Sequence, residues 1–150
     1  QMLSMRHEFP SEWYRFLHPT AAGGEHVLGF TIGKERFPFL AQHRDVTITR
    51  IDVFARCRRP GNYHLLLAYT DEDANEVGST QIQLAPSGTY GGIRRSSIGA
   101  TDAGLDLETL DVSGPMSLKL KHNTAVDYTV LETDPAEVDD VILLFHYNLQ

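Results

Sequence analysis

Seven histidines, one cysteine and a run of acids are the residues of this 150-residue chain whose chemistry could go beyond packing. His7, His18, His26, His43, His64, His122 and His146 contain neither an H-x3-H nor an HExxH unit, and Cys57 has no second thiol. The ligand spacings of a zinc site are therefore missing. Asp71-Glu72-Asp73-Ala74-Asn75-Glu76 opens like a calcium loop, with oxygen ligands at its first, third and fifth positions. It then fails, because Glu76 stands where the sharp turn needs glycine and Ile82 where a bidentate glutamate closes the shell. A solvated loop between strands accounts for those acids.

Nucleophilic chemistry fares no better. Cys57 falls on the buried parity of an extended stretch, and a thiol in apolar surroundings is inert. A G-x-S-x-G turn is absent. Tyr90-Gly91-Gly92-Ile93-Arg94-Arg95 is glycine-rich but matches neither phosphate-loop pattern. Asp139 and Asp140 are adjacent in an extended segment, where alternation sends neighbouring side chains to opposite faces. The expectation is no enzyme: no catalytic residue, no cofactor and no metal.

Two arginine pairs stand out in an acidic chain: Arg58-Arg59 and Arg94-Arg95. Arginine is enriched at protein interfaces because it packs along its stem and makes bidentate contacts. Ordinary surface charge is the better account of the pairs, because arginine is common on any exposed loop. If any residues here bind another protein, these four are the candidates.

Composition narrows the class. With 13 Lys and Arg against 20 Asp and Glu the net charge is −7, which lacks the basic footprint of nucleic-acid binding. The chain is 41% hydrophobic and 22% charged, values that exclude a disordered tail, a collagen-like chain and a coiled coil. A single cysteine excludes an internal disulfide framework and fits a reducing compartment. The apolar runs Leu65–Ala68 and Val141–Phe145 are too short to cross a bilayer, and the first residues carry no signal-peptide core. Membrane contact is not expected. A start on glutamine suggests a piece of a longer chain.

The elements that would position these residues are mainly strands. Pro10–Pro19 reads as two helical turns or fewer, with Ser11 as N-cap and Trp13, Phe16 and Leu17 on one face. His26–Ile32 reads as a short strand, and Arg36–Phe39 as a proline-marked edge or crossing. Asp45–Arg58 is the longest extended stretch, and its apolar parity flips near Thr49-Arg50, which predicts a bulge. With Arg59-Pro60-Gly61-Asn62 as a turn, residues 45–70 read as a hairpin. Ser79–Ala85 and Pro115–Lys121 alternate as strands, with weaker signals at Tyr90–Arg95 and Tyr128–Glu132. Asp134–Glu137 has the start of a helical turn. Asp140–Leu149 carries apolar residues on both faces, as a central strand does. Roughly seven to nine short strands predict an all-β fold, a two-sheet antiparallel β-sandwich of jelly-roll type with a short N-terminal helical segment, in one domain over residues 1–150.

Three segments also carry a family resemblance. Phe9-Pro10-Ser11-Glu12-Trp13-Tyr14-Arg15-Phe16-Leu17-His18-Pro19, Glu35-Arg36-Phe37-Pro38-Phe39 and Asp139-Asp140-Val141-Ile142-Leu143-Leu144-Phe145-His146-Tyr147 resemble the C-terminal end of Tc (toxin complex) A components, the large bacterial insecticidal toxin subunits. The resemblance implies a β-sandwich at the end of a pentameric, pore-forming translocator. It would be made in the bacterial cytoplasm and released as part of a secreted toxin complex. This end would engage the toxin B component, with homo-oligomerisation in the full-length toxin, and no family catalytic residue is implied. A reading from another class is a carbohydrate-binding sandwich, which would present exposed aromatics; Tyr63, Tyr69, Tyr90 and Tyr128 are its candidates.

Overall fold

A computed structural model describes residues 1–18, 26–38, 44–58, 60–70, 73, 75–86, 93–99, 105–107, 110–124, 128 and 138–149. In chain order the elements are β1 (Met2–Ser4), α1 (Met5–Glu8), α2 (Pro10–Leu17), β2 (Val27–Thr31), a 3-10 turn (Lys34–Arg36), β3 (Val46–Cys57), β4 (Tyr63–Thr70), β5 (Glu76–Pro86), β6 (Arg94–Gly99), β7 (Pro115–His122) and β8 (Val138–Leu149). The protein is all-β apart from the N-terminal helices. The strands form one curled antiparallel sheet in the order β1-β8-β3-β6-β5-β4-β7-β2. Among the described residues the join between β5 and β6 is narrow, with Ala85 opposite Arg95 and Pro86 opposite Arg94.

The periodicities of the long strands are realised. In β7, Met116, Leu118 and Leu120 are buried while Ser117, Lys119 and Lys121 are half-exposed. The parity flip of β3 is a register shift against β8 between Ile48 and Arg50, so Ile48 and Ile51 both reach the core. β8 is flanked by β1 and β3, as its two apolar faces predict.

The 45–70 hairpin is not formed. β3 pairs with β8 and β6, whereas β4 pairs with β5 and β7, so residues 58–62 cross from one half of the sheet to the other. The crossing is a corner held by side chains from distant strands. The Arg94 guanidinium donates to the Cys57 carbonyl at 2.8 Å and to the Gly61 carbonyl at 3.2 Å. His122 Nε2 lies 2.7 Å from the Pro60 carbonyl, so that nitrogen carries the proton, and Asn123 N–H donates to the Asn62 carbonyl at 3.0 Å. Gly61 sits at φ +99°, where a side chain would be strained. These bonds replace the ladder that a hairpin would have supplied. The consecutive strands that do pair with each other are β4 and β5, from Tyr63 opposite Leu84 to Thr70 opposite Glu76.

Helix α2 starts two residues earlier than the capping pattern predicts, with Pro10 at its first position and Phe9 rather than Ser11 as N-cap. Helix α1 precedes it, capped by the Ser4 hydroxyl, which accepts from His7 N–H. The helices link the two outermost strands. Phe9 packs on Phe30 of β2 at 5.4 Å between ring centroids, while α1 runs on directly from β1. Just beyond the 3-10 turn, Phe37 meets Tyr147 of β8 edge-on at 4.9 Å. One core results, in which Leu3, Met5, Trp13 and Phe16 join residues of every long strand. Leu105, Leu107, Leu110 and Val112, from a stretch with little strand pattern, belong to it too. Asp134–Glu137 and most of Tyr128–Glu132 lie outside the described residues.

Candidate functional site

The four candidate arginines separate. Arg94 is 5% exposed and committed to the corner, with its guanidinium 5.2 Å from the Tyr63 ring. It therefore leaves the set of surface contacts. Its neighbour Arg95 points the other way along β6 and lies over the Phe54 ring at 5.8 Å on the outer face of the sheet. Arg58 is exposed and pairs with Asp139 at 3.2 Å. Arg59 lies outside the described residues.

Arg95 and Arg58 border a surface that sequence reading did not assemble. Across the outer face, Phe54 of β3 stands between Arg95 of β6 and Ile142 of β8, and Arg56 stands opposite Asp140. Met2 of β1 is opposite Leu144. Phe54, Ile142 and Leu144 are only partly covered and Met2 is 65% exposed. Met2, Phe54, Arg56, Asp140 and Ile142, with Arg6 of α1, bound a cleft of about 360 Å³. A second cleft of about 490 Å³ adjoins it, between Trp13 and Leu17 of α2 and Val138, with Arg6 and Arg58 at its rim.

Asp139 and Asp140 both border the first cleft, contrary to strict alternation. The cause is the register shift at Arg56/Cys57, which leaves Asp139 without an opposite residue on β3. Neither carboxylate is arranged for acid–base work. Asp140 accepts from the Ser4 hydroxyl at 2.5 Å and from Arg6 N–H at 3.2 Å. Asp139 accepts from Arg58, and its carbonyl from Arg6 Nη1 at 3.3 Å. Arg56 is exposed and makes no ion pair with a described residue.

The far end of the same face is polar and self-contained. Asp52, 3% exposed, accepts from Ser97 Oγ at 2.6 Å and from His146 Nε2 at 2.8 Å, with Arg50 Nε at 3.2 Å. Burial alone would raise its carboxyl. The Ser97 and His146 hydrogen bonds and the Arg50 and His146 charges more than offset that, and hold it below the ordinary carboxylate value. The order of groups rules out nucleophile activation here, since Ser97 gives its proton to the carboxylate and not to an imidazole. Nothing in the sequence spacing marks this cluster, because Asp52 and His146 are 94 residues apart.

Asp71, Glu72 and Ala74 of the acid-rich segment lie outside the described residues, and among those described no group of three His, Cys, Asp or Glu is placed to hold a metal. Cys57 is half-buried at the end of β3. Of the aromatic candidates for a sugar site, Tyr63 has no exposed surface and cannot stack on a ligand. Tyr69 is half-buried, Tyr90 is outside the described residues, and Tyr128 donates its hydroxyl to Gln81 at 2.7 Å. Burial pushes that hydroxyl up to about 12, so it stays a donor.

No protein-family model matches the chain, and no characterised protein matches its sequence. Among the described residues no helix is long and apolar enough to cross a membrane.

Proposed function

We propose that this chain is a non-enzymatic protein-docking module, serving at the C-terminal end of a Tc-type toxin A component to engage the toxin B component. The observation that carries the docking reading is the outer face of β1-β8-β3-β6. Strands with one solvated face alternate apolar and polar residues, yet Phe54, Ile142, Leu144 and Met2 all point outward, with arginines beside them. An apolar patch rimmed by polar groups is the usual mark of an interaction surface. The toxin assignment is supported by the three sequence segments described above. All three supply structural contacts, Phe9 and Trp13 in the core and Phe37 against Tyr147. In this reading the halves β1-β8-β3-β6 and β5-β4-β7-β2 are the two layers of a jelly-roll-like sandwich, hinged at the narrow β5–β6 join.

The test is binding of the isolated chain to a cognate Tc B component by surface plasmon resonance at low and high salt. Saturable binding whose association rate falls with salt is expected, since charges at the rim of an interface steer encounter. Absence of binding, with a clear hit on a glycan array, would overturn the docking reading in favour of a lectin.

A further inference from the structure

We infer that the face around Phe54 and Ile142 receives an acidic segment of a partner protein, one that seats an apolar side chain in the cleft while its carboxylates meet Arg56 and Arg6. The inference deepens the docking reading and rests on it, but not on the toxin assignment.

The argument is one of charge complementarity. The chain as a whole carries −7, yet among the described residues this cleft is bordered by Arg6 and Arg56, with Arg58 beside it, against Asp139 and Asp140. Both carboxylates are already bonded within the chain. Asp140 is bonded to Ser4 and the Arg6 amide, and Asp139 to Arg58. Their negative charge is thus largely spent on holding α1 and the end of β3 against β8. The positive field of Arg56, exposed and without a described ion-pair partner, is left to face solvent.

The two ends of the face differ in a way that orients the partner. At the Asp52 end, Arg50 and His146 both turn to the buried carboxylate, which already answers the arginine's charge. At the Arg56 end the balance is positive. Between them lies the apolar floor, Phe54 beside Ile142, with Met2 and Leu144 adjoining. A partner that matches this order carries an aromatic or branched aliphatic anchor next to two or more carboxylates. Such an anchor displaces water from a cleft of about 360 Å³, a volume that fits side chains but not a folded domain. A cationic or uncharged segment would meet the arginines without compensation, which is how the face discriminates.

The experiment uses the full chain and three fluorescein-labelled peptides of equal length: a Gly/Ser peptide with a Leu-Phe anchor flanked by Glu, the same with Lys for Glu, and the same with Ser for Leu-Phe. Fluorescence anisotropy at low salt should show the Glu-flanked anchor binding about tenfold or more tighter than either control, a difference typical of central interface contacts. Arg56→Glu should weaken that binding about tenfold. Arg44→Glu, the same charge change at an exposed residue just before the far end of β3, should leave it within about twofold. Amide shifts on titration should cluster at residues 54–56 and 140–142. Equal binding of the Lys-flanked peptide, equal effects of the two substitutions, or no binding of any peptide would overturn the proposal. Failure of the toxin assignment is told apart from failure of this face. Peptide binding without B-component binding sinks the toxin assignment and supports the face, whereas B-component binding indifferent to Arg56→Glu sinks the face alone.

Discussion

The Arg94 side chain reaches from β6 to the Cys57 carbonyl, 2.8 Å away, and thereby ties down the exact point where the chain leaves β3 and changes neighbours. The same guanidinium takes the Gly61 carbonyl and lies over the Tyr63 ring, so one residue spans both ends of the corner. A cation in that place does what a hairpin ladder does elsewhere.

Arg94→Ala should therefore destabilise the protein by about 2–3 kcal/mol, the range for losing hydrogen bonds to a charged group and leaving carbonyls unsatisfied. Arg95→Ala, one residue on but outward, should cost only about 0.5–1 kcal/mol through its contact with Phe54. Urea unfolding of the two variants is the comparison, and equal losses would contradict the assignment of Arg94 to the corner.

Trp13 is 6% exposed and packs against Phe16 with 5.3 Å between ring centroids. Trp13→Ala should cost about 3–5 kcal/mol, as deletion of a buried aromatic does. As the only tryptophan it also reports directly. Its emission should be blue-shifted in the folded state and move red on unfolding, and a fully solvated emission in the native protein would refute the packed helix.

Deleting Val141–Gln150 removes most of β8, which lies between β1 and β3. One side of β3 would lose its backbone partners and the core would lose Val141, Leu143 and Phe145. The truncated chain should show no cooperative thermal transition. Melting near the wild-type temperature would show that β8 is dispensable.

Asp52 predicts a pH dependence with a definite sign. Its folded-state carboxyl lies below the ordinary value of 3.8, so the unfolded chain takes up the proton more readily. The stabilisation is complete above the ordinary carboxylate range and is lost as pH falls through it to the lower folded value. Asp52→Asn should cost about 1.5–3 kcal/mol near neutral pH, through lost charge-assisted bonds to Ser97, His146 and Arg50. Denaturant titrations of both proteins from neutral to acid pH should converge in acid; a constant difference would show that the charge of Asp52 is not what stabilises the fold.

What could be read along the chain was whatever depends on neighbours in sequence. Alternation in Val46–Cys57, Pro115–His122 and Val138–Leu149 marks strands because pleating sends every second side chain inward. The bulge at Thr49-Arg50 was legible for the same reason, since an extra residue shifts that alternation. Trp13 and Phe16 announced the inner face of a helix by their spacing.

Which strands lie side by side was decided only by the folded chain. Residues 45–70 contain two good strands and a turn, and local pattern makes them a hairpin. The better burial of both comes from pairing β3 with β8, some ninety residues away, and β4 with β5 and β7. Pairing energy is spread over distant partners, so no window of sequence contains it. The candidate site follows the same division. Arg58 and Arg95 were visible as charges in an acidic chain. That Arg94 turns inward while Arg95 turns out, that Arg6 and Arg56 join the surface, and that Phe54 faces Ile142 across it are consequences of register between β1, β3, β6 and β8. Register is set when the whole core closes, because a shift of one residue would exchange the buried and exposed faces of an entire strand.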